Sequence, residues 1–174
     1  MYPDVVSLAY WCRKANIQKM KERLGVGEHR LGRGLAFHIA PANIPVNFAF
    51  SFLFSLLAGN GNVVRVPSKP FPQVMIICSA IRRVLGEEQF ADLREGTAFV
   101  AYPSSEREIT AAFSAMADAR LIWGGDLTIN TIRCLPTKPR CVDLCFADRY
   151  SAAIIDGSAV MAADDQQLLR ESEG

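Results

Sequence analysis

Apolar and polar segments alternate along this chain in a repeated strand–helix order. Short runs with the length and composition of buried strands occur at 35–40, 62–66, 97–102, 120–123 and 142–146. Strands that alternate with helices along a chain form a mostly parallel sheet with helices on both of its faces. The pattern therefore predicts an α/β fold with a Rossmann-like open sheet.

The segments between the strands have helical spacing or helix start signals. Helices are predicted at 3–24, 44–58, 72–85, after 104–106 and near 127–134. The second of them also fits a strand, because phenylalanine recurs at every second position from Phe48 to Phe54. The length of this run, its Asn-Ile-Pro start and Gly59 at its end favour a helix.

The same pattern divides the chain into three parts. Residues 1–33 are predicted to be an N-terminal helix and linker, and 34–161 the α/β domain, with one more strand at 151–155. The polar tail 162–174 is predicted to be the start of a helix that continues beyond it. A length of 174 residues suits one domain with a sizeable core.

Composition excludes several classes of function. The formal net charge is +1, so no strong field favours nucleic acid or a lipid surface. The apolar run 44–58 is shorter than the roughly 20 residues that span a bilayer. The five cysteines form no CxxC pair and no metal-ligand spacing, which predicts buried thiols in a reducing cytoplasm and no metal: Cys12, Cys78, Cys134, Cys141 and Cys145.

The strand ends carry the candidate chemistry, because ligands bind outside the carboxyl ends of parallel strands. Pro41-Ala42-Asn43-Ile44-Pro45 follows the first strand, where Asn43 could cap the next helix or face a ligand. Gly124-Gly125-Asp126 follows the fourth strand and fits either a tight turn or a phosphate-binding helix start. His38, inside the first strand, is better explained as a core histidine bonded to a backbone carbonyl than as a catalytic base.

These motifs, in this order and spacing, resemble the nucleotide-binding half of the aldehyde dehydrogenase superfamily. The closest resemblance is to its acyl-coenzyme A reductase branch, the LuxC type of bacterial bioluminescence. The resemblance implies an oxidoreductase that converts a fatty acyl-CoA to a fatty aldehyde through an enzyme thioester. It also implies that Asn43, in the Pro-x-Asn-x-Pro turn, donates its side-chain amide to the oxyanion formed during acyl transfer.

The resemblance places the catalytic cysteine in a second domain that follows this part of the chain. We therefore expect the chain to be a fragment that is inactive alone. Acyl-CoA is the expected substrate, and the resemblance is compatible with a homo-oligomer or with acyl-transferring partner proteins. Two alternatives remain: a non-catalytic nucleotide-binding or degenerate remnant that needs a partner chain, and a fragment of a hydrolytic aldehyde dehydrogenase.

The cofactor contacts implied by the resemblance lie at four points along the domain. They are Ile39, Ala40, Pro41, Arg65, Pro67, Ser68, Lys69, Gly124, Gly125, Asp126 and Ile129. Related dehydrogenases have Lys-Pro-Ser-Glu at the second strand end, where this chain has Val66-Pro67-Ser68-Lys69. Lys69 thus stands in place of the glutamate of these dehydrogenases, so cations rather than an acid lie at the ribose position. This favours binding of a 2′-phosphate and hence NADPH over NADH.

Cys145 falls where hydrolytic relatives carry the glutamate that activates water. A thiol does not serve as that general base near neutral pH. Cysteine in place of the glutamate suits an enzyme that transfers acyl groups between thiols rather than to water. It is equally consistent with a small residue that has only a structural role. Cys145 as the nucleophile is the weaker alternative, because no base lies near it in the sequence.

Overall fold

The computed structural model describes residues 2–24 and 31–149. Its helices are α1 Pro3–Trp11, α2 Lys14–Leu24, α3 Asn47–Leu57, α4 Pro72–Leu85, α5 Ala91–Glu95, α6 Arg107–Met116 and α7 Asp126–Arg133, with a short 3-10 helix at Glu88–Phe90. Its strands are β1 Leu35–Ile39, β2 Gly61–Arg65, β3 Thr97–Val100, β4 Ala119–Trp123 and β5 Val142–Phe146. The strand predicted at 151–155 and the tail at 162–174 lie outside the described residues.

The five strands form one parallel sheet in the order β3-β2-β1-β4-β5. Chain order reverses between β1 and β4, because β2 and β3 extend the sheet on one side and β4 and β5 on the other. The carboxyl ends of β1 and β4 therefore bound a crevice at the switch point of a Rossmann-like sheet. The predicted fold class is confirmed.

Two apolar clusters cover the two faces of the sheet. On one face, Phe48 and Phe52 of α3 pack with Val64 of β2 and with side chains of α1 and α4. On the other face, Phe37 and Ile122 pack against α6 and α7. Successive strand side chains point to opposite faces, so β2 contributes Val64 to the first cluster and Val63 to the second, and the central residues of both β1 and β2 are buried.

An ion pair between adjacent strands fixes β5 at the edge of the sheet. Arg120 is 2% exposed, and its Nε and Nη2 each donate to the Asp143 carboxylate at 2.7 Å. Arg120 and Asp143 are also register partners in the parallel ladder. This bidentate contact positions the end of β5, which carries Cys145 and Phe146, beside the end of β4.

Two helix predictions differ from the structure, and two short helices were not predicted. The helix predicted over 3–24 is two helices, because the Asn16 amide and the Arg13 N–H donate to the Tyr10 carbonyl that would otherwise continue α1. The short helices over 88–95 were missed, since this charged stretch has no apolar stripe. Finally, α3 begins at Asn47 rather than at 44, because Pro45 and Val46 form a turn before it.

His38 is a core histidine, as predicted, but its partners are side chains rather than a backbone carbonyl. Its Nδ1 lies 2.8 Å from Ser51 Oγ and its Nε2 lies 3.0 Å from Asn62 Oδ1. The ring is fully buried, and burial lowers the pKa of His38 from 6.5 to about 4, although the Asn62 bond opposes this shift. His38 therefore ties β1 to α3 and β2 as a neutral ring.

Acidification is expected to destabilise the fold through His38. The unfolded chain binds a proton on this ring below pH 6.5, whereas the folded chain does so only below about pH 4, so stability is lost as the pH falls through that window. The free energy of unfolding should drop by about 2 kcal/mol between pH 8 and pH 5. Urea unfolding of the wild type and of His38→Gln at both pH values measures this, and an equal drop in both proteins would contradict the assignment.

Candidate nucleotide-binding cleft

An open cleft of about 990 Å³ lies at the carboxyl ends of β1, β2, β4 and β5. The 39–44 segment forms its centre, the 65–68 segment one side, and the ends of β4 and β5 the other side. Its volume lies at the upper end of the range for small-molecule sites. Nine of the predicted site residues line it: Ile39, Ala40, Pro41, Asn43, Arg65, Pro67, Ser68, Gly124 and Gly125.

Asn43 lies in the turn between β1 and α3, exposed and on the wall of the cleft. The alternative that it caps a helix is wrong. The N-cap residue of α3 is Val46, and no side-chain hydrogen bond caps this helix. The turn therefore presents the Asn43 amide at the cleft without using it to satisfy the helix start.

The Gly124-Gly125 turn joins β4 to α7. Gly124 has a φ of +155°, which L side chains rarely adopt, and a Cβ on it would also lie 3.1 Å from Thr128. A Cβ on Gly125 would lie 2.9 Å from Asp148 Oδ2, so only glycine lets this carboxylate approach the turn. Of the other two residues predicted here, Asp126 is exposed outside the cleft lining, and Ile129 is 6% exposed and packs in the core from the buried face of α7.

Arg65, the last residue of β2, is held in place by Tyr102. Its Nε and Nη2 donate to the Tyr102 carbonyl at 3.4 and 3.3 Å, and its guanidinium carbon lies 4.8 Å from the centre of the Tyr102 ring. Tyr102 is buried and in turn accepts a hydrogen bond on its hydroxyl from Thr110. Lys69 is exposed and does not line the cleft. Of the two predicted cations, only Arg65 therefore lies in the cleft lining.

The prediction that all five cysteines are buried is wrong, because Cys134 and Cys145 are exposed. Cys145 lines the cleft at the end of β5. Burial raises the pKa of the three partly buried thiols, Cys12, Cys78 and Cys141. His38 is fully buried against Ser51 and Asn62 and cannot serve any of these thiols as a base.

Several cleft residues were not predicted as site residues from the sequence. These are Ala42, Ile44, Asn47, Val66, Ser104, Trp123, Thr128, Cys145, Phe146, Ala147, Asp148 and Arg149. Most of them flank a predicted motif or follow a strand end. The expectation that ligands bind outside the carboxyl ends of parallel strands could therefore have identified them. Ser104 follows β3 at the far side of the sheet, and only the tertiary structure brings it to the cleft.

Among the residues that the structure describes, the charges lining the cleft are two guanidinium groups, Arg65 and Arg149, and one carboxylate, Asp148. This balance favours a ligand that carries phosphate groups. Among residues 2–24 and 31–149, no group of three or more His, Cys, Asp or Glu side chains could hold a metal ion. No helix in these same ranges has the length and apolar character needed to cross a membrane.

Comparison with known proteins identifies the family. The family model described as acyl-CoA reductase (LuxC) matches residues 8–171, which include the whole sheet and every residue that lines the cleft. No curated protein and no solved structure matches the chain. Because the match covers nearly all of the sequence, the chain belongs to the LuxC family of acyl-CoA reductases.

Proposed function

We propose that this chain is the nucleotide-binding part of an NADPH-dependent reductase that converts a long-chain fatty acyl-CoA to a fatty aldehyde through an enzyme thioester. The observation that carries the proposal is one cleft that joins the Pro41–Pro45 turn to Arg65 at the switch point of a parallel sheet. Membership of an acyl-CoA reductase family supports the reaction class. NADPH as the cofactor and a long-chain acyl group in the substrate are parts of this proposal that go beyond the family match.

The cleft has the properties that a dinucleotide phosphate needs. It is large enough for an extended ligand, and its described lining carries more guanidinium than carboxylate groups. Glycine at 124 and 125 lets the backbone come close to a ligand. Bound NADPH would supply the hydride that reduces the thioester carbonyl. Arg65 would bind the 2′-phosphate, because Tyr102 already holds its guanidinium at the cleft edge.

Asn43 would stabilise the oxyanion that forms when the acyl group moves between thiols. Its amide is neutral and lies on an exposed turn of the cleft wall, so it can donate to an oxygen without a change in protonation. A donor that is preorganised towards an oxyanion contributes roughly 3 kcal/mol to catalysis. Cys145 at the end of β5 cannot activate water as a carboxylate would, which favours reduction over hydrolysis.

Nucleotide binding by the chain itself tests this function. Isothermal titration calorimetry should detect NADP+ binding, with NAD+ binding more weakly because it lacks the 2′-phosphate. Ala42→Trp, at an exposed position on the cleft wall, should abolish binding, whereas Ser79→Trp, exposed on α4 away from the cleft, should not affect it. If neither nucleotide binds, the alternative of a degenerate remnant is supported, and tighter NAD+ binding would overturn the choice of cofactor.

A further inference from the structure

An aromatic pair forms one side of the cleft and has no role in the function described so far. Trp123 and Phe146 end β4 and β5 as register partners, and both line the cleft. Their rings are parallel within 8°, with centroids 3.9 Å apart. Phe146 is 40% exposed although it is a large apolar side chain.

The position of the pair determines which part of a ligand it could meet. Arg65 ends β2, and β1 and β4 lie between it and β5. With neighbouring strands 4.7–4.9 Å apart, the ends of β2 and β5 are about 14 Å apart. A dinucleotide whose 2′-phosphate lies at Arg65 has its adenosine on the β2 side, so its second ring reaches towards the β4–β5 side.

We propose that Trp123 and Phe146 are a stacking platform for the nicotinamide ring, an inference that rests on the proposed NADPH binding. The pair presents flat apolar surface and no charge, which suits a planar ring and not a phosphate. Asn43 and Cys145 line the same cleft, so a ring on this platform lies at the site of acyl chemistry. The aromatic pair binds the ring end and Arg65 binds the phosphate end.

Tryptophan fluorescence reports on this contact directly. The chain has two tryptophans, and Trp11→Phe leaves Trp123 as the only one. In that background, NADP+ should quench the emission strongly, whereas 2′,5′-ADP, which lacks the nicotinamide ring, should bind with little quenching. Phe146→Ala should weaken NADP+ binding about tenfold or more and leave 2′,5′-ADP binding unchanged.

Two further variants separate stacking from general effects on the fold. Phe146→Tyr keeps the ring and should retain NADP+ affinity, while Leu144→Ala, exposed on the same strand and outside the cleft lining, should have no effect. The platform would be overturned if Phe146→Ala binds NADP+ as tightly as the wild type does, or if it loses affinity equally for NADP+ and 2′,5′-ADP. Either result would leave the proposed nucleotide binding intact. If neither nucleotide binds the wild type, the proposed function fails and the platform with it.

Discussion

Replacing Asn43 by aspartate in an active reductase that carries this domain is expected to reduce turnover about a hundredfold or more. The substitution keeps the shape of the side chain but exchanges an N–H donor for a negative charge that repels the oxyanion. Asn43→Ala should also lose turnover, because it removes the donor. Initial rates of acyl-CoA reduction, measured for both variants beside the wild type, give the effect.

Stability should change little in either Asn43 variant. The side chain is exposed, and the N-cap of α3 is Val46, so the cost of about 1 kcal/mol for losing a helix cap does not apply. Melting temperatures measured on the same samples check this. Asn130→Asp, an exposed asparagine of α7 outside the cleft, is the matched control and should retain full turnover. A fully active Asn43→Asp enzyme would remove Asn43 from the catalytic residues.

Replacing Arg65 by glutamine is expected to weaken NADP+ binding about tenfold or more, because a charge-assisted hydrogen bond contributes roughly 1.5–3 kcal/mol. NAD+ has no 2′-phosphate, so its affinity should change much less. The ratio of the two dissociation constants, measured by calorimetry, isolates the phosphate contact from any general loss of the fold. An unchanged ratio would show that Arg65 does not bind the phosphate.

Lys69 provides the comparison for Arg65. The resemblance to aldehyde dehydrogenases assigned both cations to the ribose, but only Arg65 lines the cleft and is held there by Tyr102. An exposed lysine on a flexible stem loses conformational entropy when it binds, so Lys69→Gln should change the ratio less than Arg65→Gln. A larger change for Lys69→Gln would identify Lys69 as the main phosphate ligand and would restore the contact implied by the sequence.

At Asn43 and Ile129, the positions in the structure differ from those expected from the sequence. Asn43 fits a helix cap by residue type and by its position between a strand and a helix. The alternative failed because Pro45 and Val46 turn the chain before α3 begins, and local propensity does not determine where a turn ends. Similarly, Ile129 follows a glycine turn as a cofactor contact would, but the period of α7 directs it into the core.

The sequence by itself determined the alternation of strands and helices, the parallel sheet and the strand ends at which the motifs lie. These features follow from local hydrophobic periodicity and from turn residues such as Gly59 and Pro45, which act on their immediate neighbours. Only the tertiary structure decided which strand ends meet. It placed Arg65 at one side of the cleft and the Trp123–Phe146 pair at the other, and it left Lys69 outside the cleft lining. The reason is physical: strand order and side-chain direction depend on packing between segments far apart in the chain, which no local pattern records.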